Sequence, residues 1–358
     1  MDTVKTMAEA LRQIRPVDSA SMRQMQDRLD NLTKPPGSLG GLEELAVQLA
    51  GIQRTAAPKT DRKAIVIMCG DHGVTAEGVS AYPAEVTGLM MGNFVRGGAA
   101  INVLARQHGA QVKVIDVGSC LEEAPEGIEP RKIRRGTGNI AAGPAMTREE
   151  AIAAINVGVE TAVSLAREGV AVIGLGEMGI GNTTSSSAIA AALTGRRPVS
   201  EMTGRGTGLP DAGLAVKAAV IERALRVNRP DASDPLDVVA KVGGLEIAGL
   251  IGVILGAAAS RAAVVVDGVI TGAAALAAGR IDRGCREFMI ASHVSVEPAH
   301  RMMLDELGLK PILHLGMRLG EGSGAALAFP ILDSAIRIAR EMATFSDIGI
   351  QTKEEVSP

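Results

Sequence analysis

Along this chain, short and almost purely apolar runs alternate with longer stretches whose apolar positions recur at helical spacing. The runs are Ala64-Ile65-Val66-Ile67-Met68, Val112-Lys113-Val114-Ile115-Asp116-Val117, Val170 to Leu175, Ala262 to Asp267, Phe288 to Ala291 and Pro311 to Leu315. Most lack the in–out alternation of a half-exposed sheet, so they predict parallel strands covered on both faces. Gly, Asp or Ser follows or ends each run, which gathers polar residues at the carboxyl ends, where doubly wound sheets place their ligand crevice. Between the runs, Ala99 to His108, Arg148 to Arg167, Leu214 to Val227 and Gly244 to Ser260 predict helices. Val4 to Arg15, Ser19 to Leu32 and Ala325 to Ala343 predict further helices outside the strand pattern. The expectation is an α/β fold with a parallel sheet of about six strands and helices on both faces. Residues 33–324 would form this large domain, residues 1–32 and 325–350 a small helical domain, and 351–358 a polar tail.

One strand–helix junction stands out. Val170-Ala171-Val172-Ile173 runs into Gly174-Leu175-Gly176-Glu177-Met178-Gly179-Ile180-Gly181-Asn182-Thr183-Thr184, and Ser185 to Leu193 then reads as a helix. A glycine-rich turn at a helix N-terminus is an anion site, because the backbone can come close and free amides and the helix dipole favour a phosphate. Gly174, Gly176 and Gly179 spell G-x-G-x-x-G, but a dinucleotide site also wants an acidic residue ending the next strand about 20 residues on. Gly195 to Glu201 is not strand-like, and Glu177 inside the loop would repel a pyrophosphate. A monophosphate is therefore preferred, and an NAD-dependent oxidoreductase is the less favoured alternative.

Composition narrows the partners. The chain has 358 residues, 43 of them Gly, with 1% aromatics, no Trp and a net charge of -3. That offers neither stacking platforms nor a basic footprint, so nucleic acid is excluded as a partner. Cys69, Cys120 and Cys285 show no C-x-x-C spacing and read as reduced thiols. Met1 to Asp18 lacks an apolar signal-peptide core, and the apolar stretch Ile247 to Ser260 is too short for a bilayer. The expectation is a cytoplasmic protein with no membrane partner. The Gly/Ala-rich segment Gly243 to Ala278 suits close packing against either a partner or its own sheet. The five histidines show no H-E-x-x-H, so no metal site is predicted and His72 reads as a hydrogen-bonded structural residue.

Several blocks are more specific. They are Leu32 to Gly40 (L-T-K-P-P-G-S-L-G), Gly70-Asp71-His72-Gly73-Val74, Glu77 to Pro83, Asn93 to Ile101, Arg135 to Ile140, Gly204-Arg205-Gly206-Thr207-Gly208, Ser292 to Pro298 and Leu319 to Ala326. With the Gly174 segment, they resemble the nicotinate-nucleotide–dimethylbenzimidazole phosphoribosyltransferase family in order from about Leu29 to Ile350. The resemblance implies a Rossmann-like sheet with a small helical domain, a homodimer, and no cofactor. It implies transfer of ribose phosphate from nicotinate mononucleotide to a benzimidazole nitrogen, giving α-ribazole 5′-phosphate and nicotinate in cobalamin lower-ligand synthesis.

The chemistry suits the residues. The leaving pyridinium departs as a neutral ring and needs no acid, while the attacking ring must lose its N–H proton to one general base. The resemblance points to Glu321 for that role, where apolar surroundings would raise its pKa. It places phosphate and ribose at Gly176, Glu177, Gly179, Gly181, Asn182, Gly206 and Lys217, with Asp267 and Ser295 as further contacts that would otherwise cap a helix or order a turn. A monophosphate donor has no diphosphate for a metal to clamp. The base pocket is expected at Ser80, Tyr82, Pro83, Leu89 and Leu319. Many relatives read Pro-Gln-x-Val-Thr-x-Gln-Met here, whereas this chain reads Pro83-Ala84-Glu85-Val86-Thr87-Gly88-Leu89-Met90, which leaves the choice of base open. A noncatalytic nucleotide-binding sensor is the alternative outside enzyme classes, and it leaves Glu321 without a task.

Overall fold

The computed structural model describes residues 4–350. Its centre is one all-parallel sheet of β1 (Lys63–Gly70), β2 (Ala110–Gly118), β3 (Glu129–Pro130), β4 (Val172–Met178), β5 (Ala263–Val266) and β6 (Met289–Ala291). The strand order is β3-β2-β1-β4-β5-β6, so the winding reverses between β1 and β4. A crevice outside the carboxyl ends at that reversal is where such sheets bind ligands.

The helices of the first half are α1 (Met7–Gln13), α2 (Ser19–Asp30), α3 (Gly41–Gln53), α4 (Val86–Arg96), α5 (Ala100–Gln107) and α6 (Arg148–Arg167). Those of the second half are α7 (Asn182–Thr194), α8 (Asp211–Asn228), α9 (Pro235–Val242), α10 (Leu245–Ala259), α11 (Val269–Ile281), α12 (Pro298–Leu307) and α13 (Ser323–Glu341). Every residue of α10 from Leu245 to Ala258 is buried, because it lies between the sheet and α6. That position explains why it is apolar all round, and it shows what the Gly/Ala-rich stretch packs against. On the opposite face α13 crosses β4 and β5. The chain ends meet: Leu32 bridges Thr344, Thr33 N–H donates to Ala343 O, and Phe345 N–H donates to Asn31 O. α2 packs on α3 and α13, while α1 packs on α6 and α10. The tail 351–358 lies outside the described residues.

Two elements differ from the pattern-based expectation. Pro311 to Leu315 is not a strand; Leu313 forms only a parallel bridge to His293, and the short Glu129–Pro130 segment supplies the sixth strand instead. Pro311 has no N–H to give a ladder, and pairing with residues 291–294 stops after the Ile312, Leu313 and Val294 N–H bonds. β4 also runs further than expected, through Met178, so Gly174 and Gly176 lie within the strand. They are glycines for packing reasons. A Cβ at Gly174 would sit 2.4 Å from Ile65 Cδ1 and 3.1 Å from Phe329 of α13, and one at Gly176 would sit 2.6 Å from Glu321 O. The turn proper is Gly179-Ile180-Gly181, so the first two glycines of the G-x-G-x-x-G do not form a phosphate loop.

Candidate active site

A cavity of about 370 Å³ opens at the carboxyl ends of the strands, beside the winding reversal. β4 delivers Glu177, the turn after it delivers Gly179 to Thr183, and the loop before α13 delivers Leu319 to Glu321. Gly179 touches the end of β1: a Cβ there would lie 2.3 Å from Gly70 O and 3.3 Å from the His72 ring. Gly181 takes a left-handed φ of 98° as it starts α7, so the helix N-terminus faces the cavity.

Glu321 is held in an unusual backbone state. Its φ is 64°, between Gly320 at 86° and Gly322 at 85°. A non-glycine residue in the left-handed region persists only where its surroundings over-determine it. Asp267, at the end of β5, supplies that constraint by accepting from the N–H groups of Gly322 (3.2 Å), Gly324 (2.6 Å) and Ala325 (3.1 Å). Glu177 Oε1 takes the Glu321 N–H at 3.4 Å. The Glu321 side chain is 7% exposed, and its Oε2 has no hydrogen-bond partner among the described residues. Burial raises its pKa above the usual carboxylate value; the Ile101 N–H at the start of α5 works against this, and the Asp267 charge adds to it.

The neighbouring groups are buried more deeply still. Burial pushes Glu177 up to about 8; Asn182, which donates to its Oε2, opposes this, and Glu246 and Asp267 reinforce it. Lys217 is fully buried, and its Nζ donates to Thr183 Oγ1 at 2.8 Å and Gly204 O at 3.0 Å. Burial pulls its pKa down to about 8, with Glu297 acting in the opposite sense. Glu297 Oε1 also accepts from Gly206 N–H at 2.9 Å. The Lys217 amine thus stands behind the α7 N-terminus and the Gly204–Gly208 loop, where it adds to the positive end of the helix dipole when protonated.

A family model described as a phosphoribosyltransferase matches residues 14–350. The nicotinate-nucleotide–dimethylbenzimidazole phosphoribosyltransferase of Desulforamulus reducens is 55% identical over 348 residues, covering 96% of this chain and 98% of that protein. The Geobacter sulfurreducens protein of the same name is 55% identical over 346 residues, with 96% and 98% covered. This chain belongs to that family. The crystal structure of CobT from Thermus thermophilus superimposes with a TM-score of 0.87 at 45% identity, covering 93% of this chain and 99% of that one.

Within this phosphoribosyltransferase-family chain, the cavity gathers Glu321, Glu177, Gly179, Gly181, Asn182, Gly206, Ser295, Ser80, Tyr82 and Leu319. The other residues expected at the site do not line it in the way the sequence suggests. Gly176 lies beneath Glu321 as a packing position, and Lys217 acts from behind Thr183 and Gly204. Asp267 spends its carboxylate on the loop before α13, the capping role its position at a strand end also allowed. Pro83 does not line the cavity and lies just ahead of α4. Leu89 is 68% exposed and faces a separate groove with Gly88, Gly92 and Leu121; Val86 and Met90 line the cavity from the same helix. The positions where this chain departs from the Pro-Gln-x-Val-Thr-x-Gln-Met pattern, Ala84 and Leu89, therefore both fall in that second groove.

Sequence reading did not single out Thr207, His293, Glu297 or Arg318, all of which line the cavity. For the first three the signal lay in the blocks Gly204–Gly208 and Ser292–Pro298, but not in which member faces inward, and Arg318 lies just outside the block that begins at Leu319. His72 is buried between Ser185 Oγ (3.1 Å) and Glu246 Oε1 (2.6 Å), tying the first turn of α7 to the first turn of α10. Among the described residues no helix is long and apolar enough to cross a membrane.

Proposed function

We propose that this protein transfers the ribose phosphate of nicotinate mononucleotide to 5,6-dimethylbenzimidazole, or a related base, with Glu321 as general base. The products are α-ribazole 5′-phosphate and nicotinate, in the branch that builds the lower ligand of cobalamin. The observation that carries this reading is the buried, unpartnered Oε2 of Glu321, fixed in a left-handed loop at the floor of the cavity. The family relatives carry the same activity in their names.

In this reaction the benzimidazole nitrogen attacks C1′ of the ribose as the C1′–pyridinium bond breaks, and that electron pair returns to the pyridine nitrogen. Glu321 takes the proton from the other benzimidazole nitrogen, so charge balances without an acid on the leaving group. A carboxylate whose pKa is raised by burial is a better base near neutrality than an exposed one. Lys217 and the α7 N-terminus supply positive potential for the phosphate, and Ser80, Tyr82, Val86, Met90 and Leu319 bound the side available to the base. A homodimer in the cytoplasm belongs to the same reading, and light scattering on the purified protein tests the dimer.

The deciding assay is chromatographic, with nicotinate mononucleotide and a panel of aromatic bases. Wild type should release nicotinate only when base is present. Glu321→Gln, which keeps shape but cannot take the proton, should lower kcat by about 10²- to 10⁴-fold while still binding the nucleotide. Unchanged turnover in the variant would remove Glu321 as the base. Tight nucleotide binding by wild type with no turnover on any base would leave the sensor reading.

A further inference from the structure

We propose that Thr207 is a positioning residue whose hydroxyl straps the nucleotide side of the cavity to its base side, so that filling one half tightens binding in the other. The inference rests on the transfer reaction proposed above.

The loop between Thr203 and Leu209 is anchored inward at three points. Lys217 donates to Gly204 O, Gly206 N–H donates to Glu297 Oε1, and Arg318 donates to Gly206 O at 3.3 Å. Its outer end reaches across the cavity mouth. Thr207 Oγ1 accepts from Ala81 N–H at 2.9 Å and shares a hydrogen bond with Ser80 Oγ at 3.1 Å. Ser80 Oγ in turn accepts from Tyr82 N–H at 3.1 Å. Among the described residues, these bonds to Thr207 are the hydrogen bonds that tie residues 79–83 to another loop.

Both loops line the same cavity, one through Ser80 and Tyr82 and the other through Gly206 and Thr207. Tyr82 is largely exposed, so its loop has little packing of its own to hold it. Gly206 (φ 51°) and Gly208 (φ 108°) flank Thr207 in left-handed states, the backbone path that carries its hydroxyl to Ser80 and Ala81. A nucleotide that settles the 204–208 loop therefore also settles the Ser80–Tyr82 loop through one hydroxyl. The base then meets a wall already in place, and the ordering cost is not incurred twice. Linkage requires the reverse effect, of base on nucleotide, to be equal.

The test is two-substrate initial-rate analysis of the full-length protein with nicotinate mononucleotide and 5,6-dimethylbenzimidazole. The quantity read is the factor by which saturating nucleotide lowers the Michaelis constant for the base. Wild type should give about five-fold or more, the lower end of ordinary coupling between sites. Thr207→Val keeps the shape and removes the hydroxyl, and its factor should fall to near one whatever happens to kcat. Thr207→Ser should restore it, which a merely structural role for the side chain would not require. Melting temperatures near the wild type would certify that both variants are folded. A wild-type factor retained in Thr207→Val overturns the strap, as does a factor of one in wild type itself. Absence of turnover in wild type with any base overturns the reaction, and this inference with it.

Discussion

At the scale of single residues, the site is a set of ionisable groups whose pKa values are displaced by burial rather than by mutual pairing. Glu321 and Lys217 are displaced towards each other, the carboxyl upward and the amine down to about 8. The sign of each effect on rate follows. In the proposed reaction the base acts when deprotonated, so kcat/KM should climb with pH through the raised pKa of Glu321. Lys217 attracts phosphate when protonated, so the Michaelis constant for the nucleotide rises above about pH 8. The expected profile is a bell, with its acid limb above the ordinary carboxylate range of 4.5. In Glu321→Gln the acid limb should vanish, and in Lys217→Met nucleotide KM should rise about ten-fold or more while the alkaline limb shrinks to the part set by Glu177, which burial also holds at about 8. Measuring kcat/KM against pH for all three proteins checks this, and a flat wild-type profile between pH 5 and 9 would refute it. None of these displacements is written in residue identity. Lys217 reads on its helix as a snorkelling lysine, and only the fold reveals that it is fully buried with its amine on Thr183 and Gly204.

At the scale of elements, the apolar runs located five strands and most helices because parallel strands covered on both faces leave little choice of composition. The pattern failed where length and pairing decide. Pro311 to Leu315 is apolar but pairs with residues 291–294 over too short a stretch to make a strand, while Glu129–Pro130 is polar and pairs only because β2 passes beside it. The glycine segment illustrates a second limit. Gly174, Gly176 and Gly179 look equivalent in sequence, yet the first admits α13, the second admits the Glu321 loop, and only the third belongs to the turn. Gly176→Ala tests that assignment. The added Cβ, 2.6 Å from Glu321 O, has to lift the catalytic loop, because neither backbone can yield cheaply. A displacement of about 1 Å at a reacting group costs on the order of 100-fold in rate, so kcat should fall steeply. Affinity for the nucleotide, whose phosphate is proposed to dock on the α7 side, should change by about two-fold or less. Equal losses in kcat and nucleotide affinity would instead mark Gly176 as part of the phosphate site.

At the scale of the whole molecule, the active site is the exposed end of a stack that runs through the core. α6 lies on α10, α10 lies on the sheet, and the first turn of α10 carries Glu246, which grips His72 beneath the glycine turn. The stack is tight because glycines let backbones touch: a Cβ on Gly158 would lie 1.9 Å from Gly249 O, and one on Gly252 would lie 1.8 Å from Ile155 O. Composition announced that this segment packs closely, but it could not say against what, since a partner surface and the protein's own α6 make the same demand for small residues. Gly252→Ala separates local propensity from packing. Alanine favours an isolated helix over glycine by about 1 kcal/mol, but here the helices must part, and overpacking costs about 1–3 kcal/mol or more. The net expectation is a loss of stability on urea denaturation. Gly41→Ala, at the start of α3 with nothing within 4 Å of the new Cβ, should stay within about 0.5 kcal/mol of wild type or gain slightly. Because α10 also holds Glu246 against His72, the Gly252 variant should lose nucleotide affinity along with stability, whereas the Gly41 variant keeps both. A Gly252→Ala protein as stable as wild type would mean that α6 and α10 can separate freely, and the core would then not be what holds the glycine turn in place.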